Sequence, residues 1–268
     1  MRSFPSKKSI RVDEDNPYWM SFSDLMSALL VIFILAAVML IIELAEQKKR
    51  IDQDISKLQY AIQARKDILY EIKKELAKYK ILVEVAENHT VLRIPDTTLT
   101  FASNSHEIPV DKKVREMVKR IGFVLQTAIT EPFDKTKSKS NLKRFKYLDT
   151  VFIEGHTDSD FSGKEKGNWG LSSYRAISLW EFWEKNLPTS SAFSKMKNES
   201  GQKMFSVSGY SSTRRLNMVE RTDKDKAANR RIDIRFTVKQ PKLSTLKEIV
   251  ETSNSVRVFP EIGESAIR

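Results

Sequence analysis

The chain has 268 residues, enough for one folded domain of ordinary size together with accessory segments. It contains no cysteine, which excludes a disulfide framework and any thiolate metal site. A formal net charge of +11 admits anionic partners such as nucleic acid or an envelope polymer, and it equally describes a solvated basic surface.

Residues 1–20 read as a short tail, basic at Arg2, Lys7, Lys8 and Arg11. Residues 21–43 are a membrane-length apolar stretch, and from Ala28 to Ile42 no side chain is charged or strongly polar. About twenty residues at ~1.5 Å each match a hydrocarbon core of roughly 30 Å. The stretch exceeds the apolar core of a signal peptide and holds an internal acid, so a retained transmembrane helix is expected. That acid is Asp24. A carboxylate at membrane depth costs on the order of 2.5–3.5 kcal/mol on insertion scales, so it is expected to face a bundle interior and to serve a function there. Ser23 and Ser27 are candidates for an ion path beside it, and equally for simple close packing of helices. Tyr18, Trp19 and Phe22 fit an aromatic belt at the first interface. Lys48, Lys49 and Arg50 follow the span closely, so charge alone leaves its orientation nearly balanced.

Residues 44–89 carry the most regular pattern of the chain. Ile41, Lys48, Ile55, Ile62, Leu69, Leu76 and Val83 fall at heptad position a, with Leu44, Ile51, Leu58, Arg65, Ile72, Tyr79 and Ala86 at d. This spacing predicts a long parallel coiled coil, a dimeric rod continuous with the span, in which Lys48 and Arg65 would set register. An amphipathic helix folded onto the following domain is the alternative. Residues 90–239 then change period. Strands are expected at 90–94, 150–154, 205–208 and 232–238, and helices at 110–130 and 171–186. The fold class predicted is an α/β domain with helices packed on one face of a small mixed sheet. Basic residues crowd 135–146 with almost no aromatic interleaving, which argues against a single-strand nucleic-acid platform, and no direct nucleic-acid partner is expected. Residues 240–268 lack a core pattern and read as a C-terminal tail.

Chemistry concentrates after the second of these strands. Gly155-His156-Thr157-Asp158 leads through a loop to Asn168-Trp169-Gly170-Leu171-Ser172-Ser173-Tyr174-Arg175-Ala176, and Asn229-Arg230-Arg231-Ile232 comes later. Asp158 at a strand end and Arg175 one turn into a helix can face one pocket. There they would hold a zwitterion, carboxylate to ammonium and guanidinium to carboxylate, or else form a structural salt bridge. His89, His106 and His156 lack ligand spacing, so no metal site is expected. Neither a G-x-S-x-G nor a phosphate-loop motif occurs, and no enzymatic activity is expected.

Residues 91–238 resemble the OmpA-like peptidoglycan-binding domain. The resemblance rests on Phe101-Ala102-Ser103, the G-H-T-D at 155–158, the N-x-x-L-S-x-x-R-A at 168–176, Gly209 and the N-R-R-I at 229–232. It implies that Asp158 and Arg175 hold the diaminopimelate of the stem peptide, within a wall-binding set that also includes Thr157, Asn168, Leu171, Arg230 and Arg231. Two departures stand out. The loop between Asp158 and Asn168 is longer than in lipoprotein members, and Ala102 stands where some members carry an acid.

Within that family, Gly163 to Ser172 and the run Ser21-Phe22-Ser23-Asp24-Leu25-Met26-Ser27-Ala28 look most like the MotB branch. That likeness implies an ion-carrying role for Asp24, a homodimer inside a MotA-like (ZorA-type) pentameric membrane subunit, and no cofactor beyond the transported ion, H⁺ in preference to Na⁺. It also implies a single pass through the bacterial inner membrane, with the N-terminus cytoplasmic and the domain periplasmic. Heptads that run on directly from the span, and Asn16-Pro17-Tyr18-Trp19 before it, look more like the MotB-like subunits of Zorya anti-phage defence systems. A flagellar stator protein and a passive tether between membrane and wall are the alternatives.

Overall fold

The computed structural model describes residues 17–130, 144–189 and 192–240. The chain divides into two compact units, residues 1–54 and 55–268. A single helix, α1 (Pro17–Lys78), contributes to both. In the first unit it presents the apolar stretch, with Leu29, Ile32, Phe33, Leu35 and Met39 all exposed within the chain. Among the described residues this is the one helix long and apolar enough to cross a membrane.

The second unit is a five-stranded sheet with helices. Its strands are β1 (Glu84–Ala86), β2 (Val91–Pro95), β3 (Leu148–His156), β4 (Phe205–Gly209) and β5 (Arg231–Val238), in the order β1-β2-β5-β3-β4. β3 and β4 pair in parallel and every other pairing is antiparallel, so the sheet is mixed. The helices are α2 (Lys112–Thr130), α3 (Gly167–Asn186) and α4 (Asp223–Asn229). Alternation along β5 assigns the two faces. Ile232, Ile234 and Phe236 join the apolar core with Ile121, Leu125, Leu179 and Trp183 of α2 and α3. Arg231, Asp233 and Arg235 point the other way. Trp183 donates from Nε1 to the carbonyl of Val118 at 2.8 Å, which leaves no polar atom of this large core residue unpaired. Strand β1 and helix α4 were not legible in the periodicity, β1 because it is short and α4 because its seven residues include no apolar side chain larger than alanine. Helix α2 starts at Lys112, where the Asp111 carboxylate accepts from the backbone N–H of Lys113 and Val114 at 2.8 and 3.0 Å. The basic run 135–146 lies mostly outside the described residues, as do residues 1–16 and the tail beyond 240.

The predicted heptad seam is divided in use. Leu69, Ile72 and Leu76 are fully buried, and they belong to the core of the second unit together with Ile68. Ile41, Leu44, Ile55 and Ile62 remain exposed. From Leu69 onward the stripe is therefore taken up within the chain and is closed to a partner helix. The helix also ends at Lys78, short of residue 89, so Tyr79, Val83 and Ala86 are not heptad positions. The stop has a local cause. Lys80 adopts a left-handed conformation (φ 60°), its N–H reaches the Ala77 carbonyl at 3.0 Å, and the Ile81 N–H reaches Leu76 at 3.1 Å. This is the paired closure of a Schellman motif, and its customary apolar contact is present because Leu76 and Ile81 share the core.

Truncating a seam residue that is buried within one chain has a defined signature. Ile72→Ala is expected to lower the stability of the second unit by about 2–5 kcal/mol in urea unfolding. The loss should not depend on protein concentration. A loss that grows on dilution would assign Ile72 to an interface between copies.

Candidate functional site

The second unit carries a cleft of about 270 Å³ where the loop after β2, the loop after β3 and the start of α3 meet. Phe101, Asn104, Asp158, Asn168, Arg175 and Arg230 line it. Gly155 is what lets these elements come together. A Cβ there would overlap the backbone carbonyl of Ser172, so only glycine lets β3 pass this close to α3. Three residues beyond it, Asp158 is 8% exposed and Arg175 is 4% exposed.

These two charges are not spent on each other. Asp158 accepts from Arg230 Nη1 at 2.8 Å and from the Asp160 N–H at 3.2 Å. Arg230 also donates to Asp96 from Nη2 at 2.9 Å and from Nε at 3.2 Å. Burial pulls the Arg230 guanidinium down, but its hydrogen bonds to Asp158 and Asp96 outweigh that and hold it above its ordinary value. Arg175 lies over the Phe101 ring, 5.1 Å from its centre, and donates to the carbonyls of Ser105 (2.9 Å) and Ala102 (3.4 Å). Its Nη1 has no protein acceptor among the described residues. Burial lowers it, and the carboxylates of Asp96 and Asp158 act in the opposite sense. Ala102 therefore contributes through its backbone carbonyl.

Of the residues expected to bind the wall, the cleft gathers Asp158, Asn168, Leu171, Arg175 and Arg230. It does not gather Thr157 or Arg231. The N–H of Thr157 is committed to the Ser211 carbonyl at 3.0 Å, and its buried hydroxyl has no protein partner among the described residues. Arg231 faces the sheet, where it donates to Asp233 at 3.0 Å and to the Arg214 carbonyl at 2.9 Å. Asp96 was missed because nothing in a Pro-Asp turn marks a partner for Arg230 so distant in sequence. Asn229 was missed as a hub. Fully buried, it accepts from the N–H of Leu216 and Asn217 and donates to the Asn217 carbonyl and the Glu220 carboxylate. Glu220 in turn accepts from the backbone N–H of Ser159 at 3.1 Å, so the N-R-R-I run holds the cleft loop from behind.

The polar face of the sheet holds Glu154, His156 and Asp233, whose ligand atoms lie within 4.8 Å of one another. Sequence spacing did not reveal this cluster. Its carboxylates, however, are already engaged. Asp233 accepts from Arg93 (3.0 Å) and Arg231 (3.0 Å), and Glu154 accepts from Arg235 (2.8 Å). Three guanidiniums around two carboxylates oppose a metal cation, and the cluster reads as an ionic lattice. His156 is stacked on Tyr210 at 5.4 Å, and Asp233 is 3.6 Å from its Nε2, beyond hydrogen-bond reach. Burial, then the positive charge of Arg231, hold His156 down at about 3, against the opposing pull of Asp233.

In the first unit, Ser23, Asp24 and Ser27 are exposed within the chain. The Ser27 hydroxyl donates to the Ser23 carbonyl at 2.7 Å, one helical turn back, so its proton is bound to the helix backbone. Trp19 and Phe22 meet edge to face with ring centres 6.4 Å apart.

No family model matches the chain, and no curated protein does. Among solved structures, it is similar to the periplasmic domain of Helicobacter pylori MotB, with 18% identity, a TM-score of 0.43, and coverage of 64% of this chain and 90% of that one. A MotB-like protein from Desulfovibrio vulgaris gives 16% identity and a TM-score of 0.46, over 68% of this chain and 99% of that one. The cell wall anchor of the type VI secretion system from Pseudomonas aeruginosa gives 18% and 0.42, over 65% and 99%. Identities of 16–18% with TM-scores below 0.5 carry no weight for function, which rests on the residues of this chain.

The ionic lattice makes the second unit acid-sensitive, and the sign follows from His156. Its ordinary value is 6.5 and its folded value about 3, so between these the unfolded chain binds a proton that the folded chain does not. Stability therefore rises with pH across that window, by about 1.4 kcal/mol per pH unit, and is lost as the pH falls. Asp233, held low by its arginines despite burial, adds a second loss that begins as the pH falls below about 3.8. His156→Gln should flatten the slope between pH 6.5 and 3 in chemical unfolding. An unchanged slope would remove His156 as its source.

Proposed function

We propose that the chain is the peptidoglycan-anchored stator subunit of an ion-driven inner-membrane motor, a homodimer held inside a MotA-like pentamer. The observation that carries this reading is the cleft, where Asp158 and Arg175 are brought together without pairing. A buried carboxylate and a buried guanidinium with Nη1 to spare suit a zwitterionic head group, ammonium to one and carboxylate to the other. The amino-acid end of a diaminopimelate side chain is such a group. Asp96 and Arg230 add one further charge of each sign, and Asp160, which also lines the cleft, is paired with Lys226, so the charges at the cleft balance.

The first unit supplies the other half. A helix with this many exposed apolar side chains is not stable in water, and lipid with partner helices is the cover that fits its length. Asp24 is then a carboxylate at membrane depth, the position at which ionisable residues mark ion pathways. Each elementary charge that crosses releases ~2.3 kcal/mol per 100 mV. Loading and unloading Asp24 with H⁺ would let that energy move the partner subunits, provided that this chain is held still. Wall binding through the cleft provides the fixed point. The exposed part of the heptad stripe, up to Ile62, is available to keep two span helices in register.

Heptads that follow the span directly favour ZorB, the MotB-like subunit of Zorya anti-phage defence, over a flagellar stator subunit. The partner would then be ZorA, and the complex would report phage attack on the envelope. A passive tether is the competing reading, and Asp24 separates the two. Asp24→Asn should abolish ion flux and phage protection while co-sedimentation with purified peptidoglycan stays at the wild-type level. Asp158→Ala with Arg175→Ala should abolish co-sedimentation. Full protection by the Asp24→Asn protein would leave only the tether.

A further inference from the structure

We propose that the loop after β4, residues 212–222, is a membrane-contact tip whose apolar side chains enter the surface of a bilayer carrying anionic phospholipid. Met218 and Val219 are 67% and 63% exposed, Leu216 is exposed beside them, and no described residue covers the three. A surface loop is ordinarily free to turn such side chains back against its own domain, and here the backbone is fixed with them outward. Fully buried Asn229 accepts from the N–H of Leu216 at 2.6 Å and of Asn217 at 3.0 Å, and donates to the Asn217 carbonyl at 2.8 Å. Asn217 turns its own amide to Asp225 at 3.2 Å. On the far side, the Asp225 carboxylate accepts from the N–H of Arg221 at 3.2 Å and of Thr222 at 2.9 Å. Glu220 accepts from Asn229 at 2.6 Å and from the Ser159 N–H at 3.1 Å. Met218 and Val219 therefore stand between two anchored flanks, so little freedom is lost when the tip is buried.

The charges around the tip select its partner. Arg214, Arg215 and Arg221 flank it, and the one carboxylate between them, Glu220, is already engaged. Arg214 is exposed, with its guanidinium 3.8 Å from the centre of the Tyr210 ring. A second copy of the same tip would bring arginine against arginine, which opposes a contact between copies through this loop. Trp169 is exposed one turn before Ser172, on the side of α3 that meets this loop, where the Ser172 hydroxyl accepts from the Ser211 N–H at 2.9 Å. Aliphatic side chains and an indole set among arginines are the composition of segments that lie at a bilayer surface. The apolar groups reach the acyl boundary, the indole sits at headgroup level, and the cations meet lipid phosphates.

The test holds the full-length protein in nanodiscs of zwitterionic lipid, so that its apolar stretch is already covered, and measures capture by added vesicles. Wild-type protein should bind vesicles containing phosphatidylglycerol at low ionic strength and should not bind vesicles of phosphatidylcholine alone. Met218→Ser with Val219→Ser should weaken capture about tenfold while urea unfolding of the second unit stays unchanged. Arg214→Gln with Arg221→Gln should weaken it as well. Capture that responds to the arginines and not to Met218 and Val219 would be adsorption by charge alone and would overturn the insertion. Absence of capture by the wild type would overturn the proposal outright and leave the loop to a protein partner. Asp158→Ala with Arg175→Ala should retain full capture, and its loss there would overturn the proposal by placing the lipid contact in the cleft.

Discussion

The guanidinium of Arg230 reaches two carboxylates that the chain supplies from distant places, Asp96 after β2 and Asp158 after β3, and the cleft depends on that bridge. Without it, the buried carboxylates of Asp96 and Asp158 would have Arg175 alone nearby to offset them. Removing one partner of such a group costs far more than the pair contributes, because the remaining charges stay buried. Arg230 sits where it does because it is the C-cap of α4, its N–H bonded to the Lys226 carbonyl, in a short helix whose start is fixed by a capping box of Thr222 and Asp225, and because Asn229 locks the adjoining loop. The same short run thus orders three levels of structure: a helix stop, a loop anchor and a charge bridge.

That division explains which parts of the site were legible in the sequence. The fold class came from periods of two and of about 3.6, which apolar burial enforces directly, so β2, α2, β3, α3, β4 and β5 were all anticipated with small shifts at their ends. Asp158 and Arg175 stood out as charged residues at a strand end and near a helix start, whereas Asn168, Leu171 and Arg230 entered through the resemblance of their motifs to a wall-binding domain. Thr157 and Arg231 entered through the same resemblance, but Thr157 lies just beyond the end of β3 with its N–H committed to Ser211, and alternation along β5 puts Arg231 on the polar face of the sheet. Arg231 accordingly belongs to the ionic lattice with Asp233 and Arg93. Asp96 and Glu220 could not be read, because long-range ion pairs leave no periodic trace.

The heptad stripe shows a different ambiguity. A strip of Leu and Ile at spacings of three and four is the same signal whether it faces a second helix or the side of a domain. Here the stripe is divided, turning inward from Leu69 and exposed within the chain at Ile41, Leu44, Ile55 and Ile62. The register of any pairing between copies must therefore be set in the stretch that includes Lys48, and Arg65 stands at the changeover. Polar seam residues in that position favour one alignment over others at some loss of stability.

A crystal structure of the protein soaked with a diaminopimelate-containing stem tripeptide tests most directly whether this cleft grips the wall. The ligand's ammonium should lie within hydrogen-bond distance of the Asp158 carboxylate, and its carboxylate should accept from Nη1 of Arg175, with Arg230 still bridging Asp96 and Asp158. Density for the peptide anywhere else on the second unit, with Arg175 untouched, would contradict the assignment.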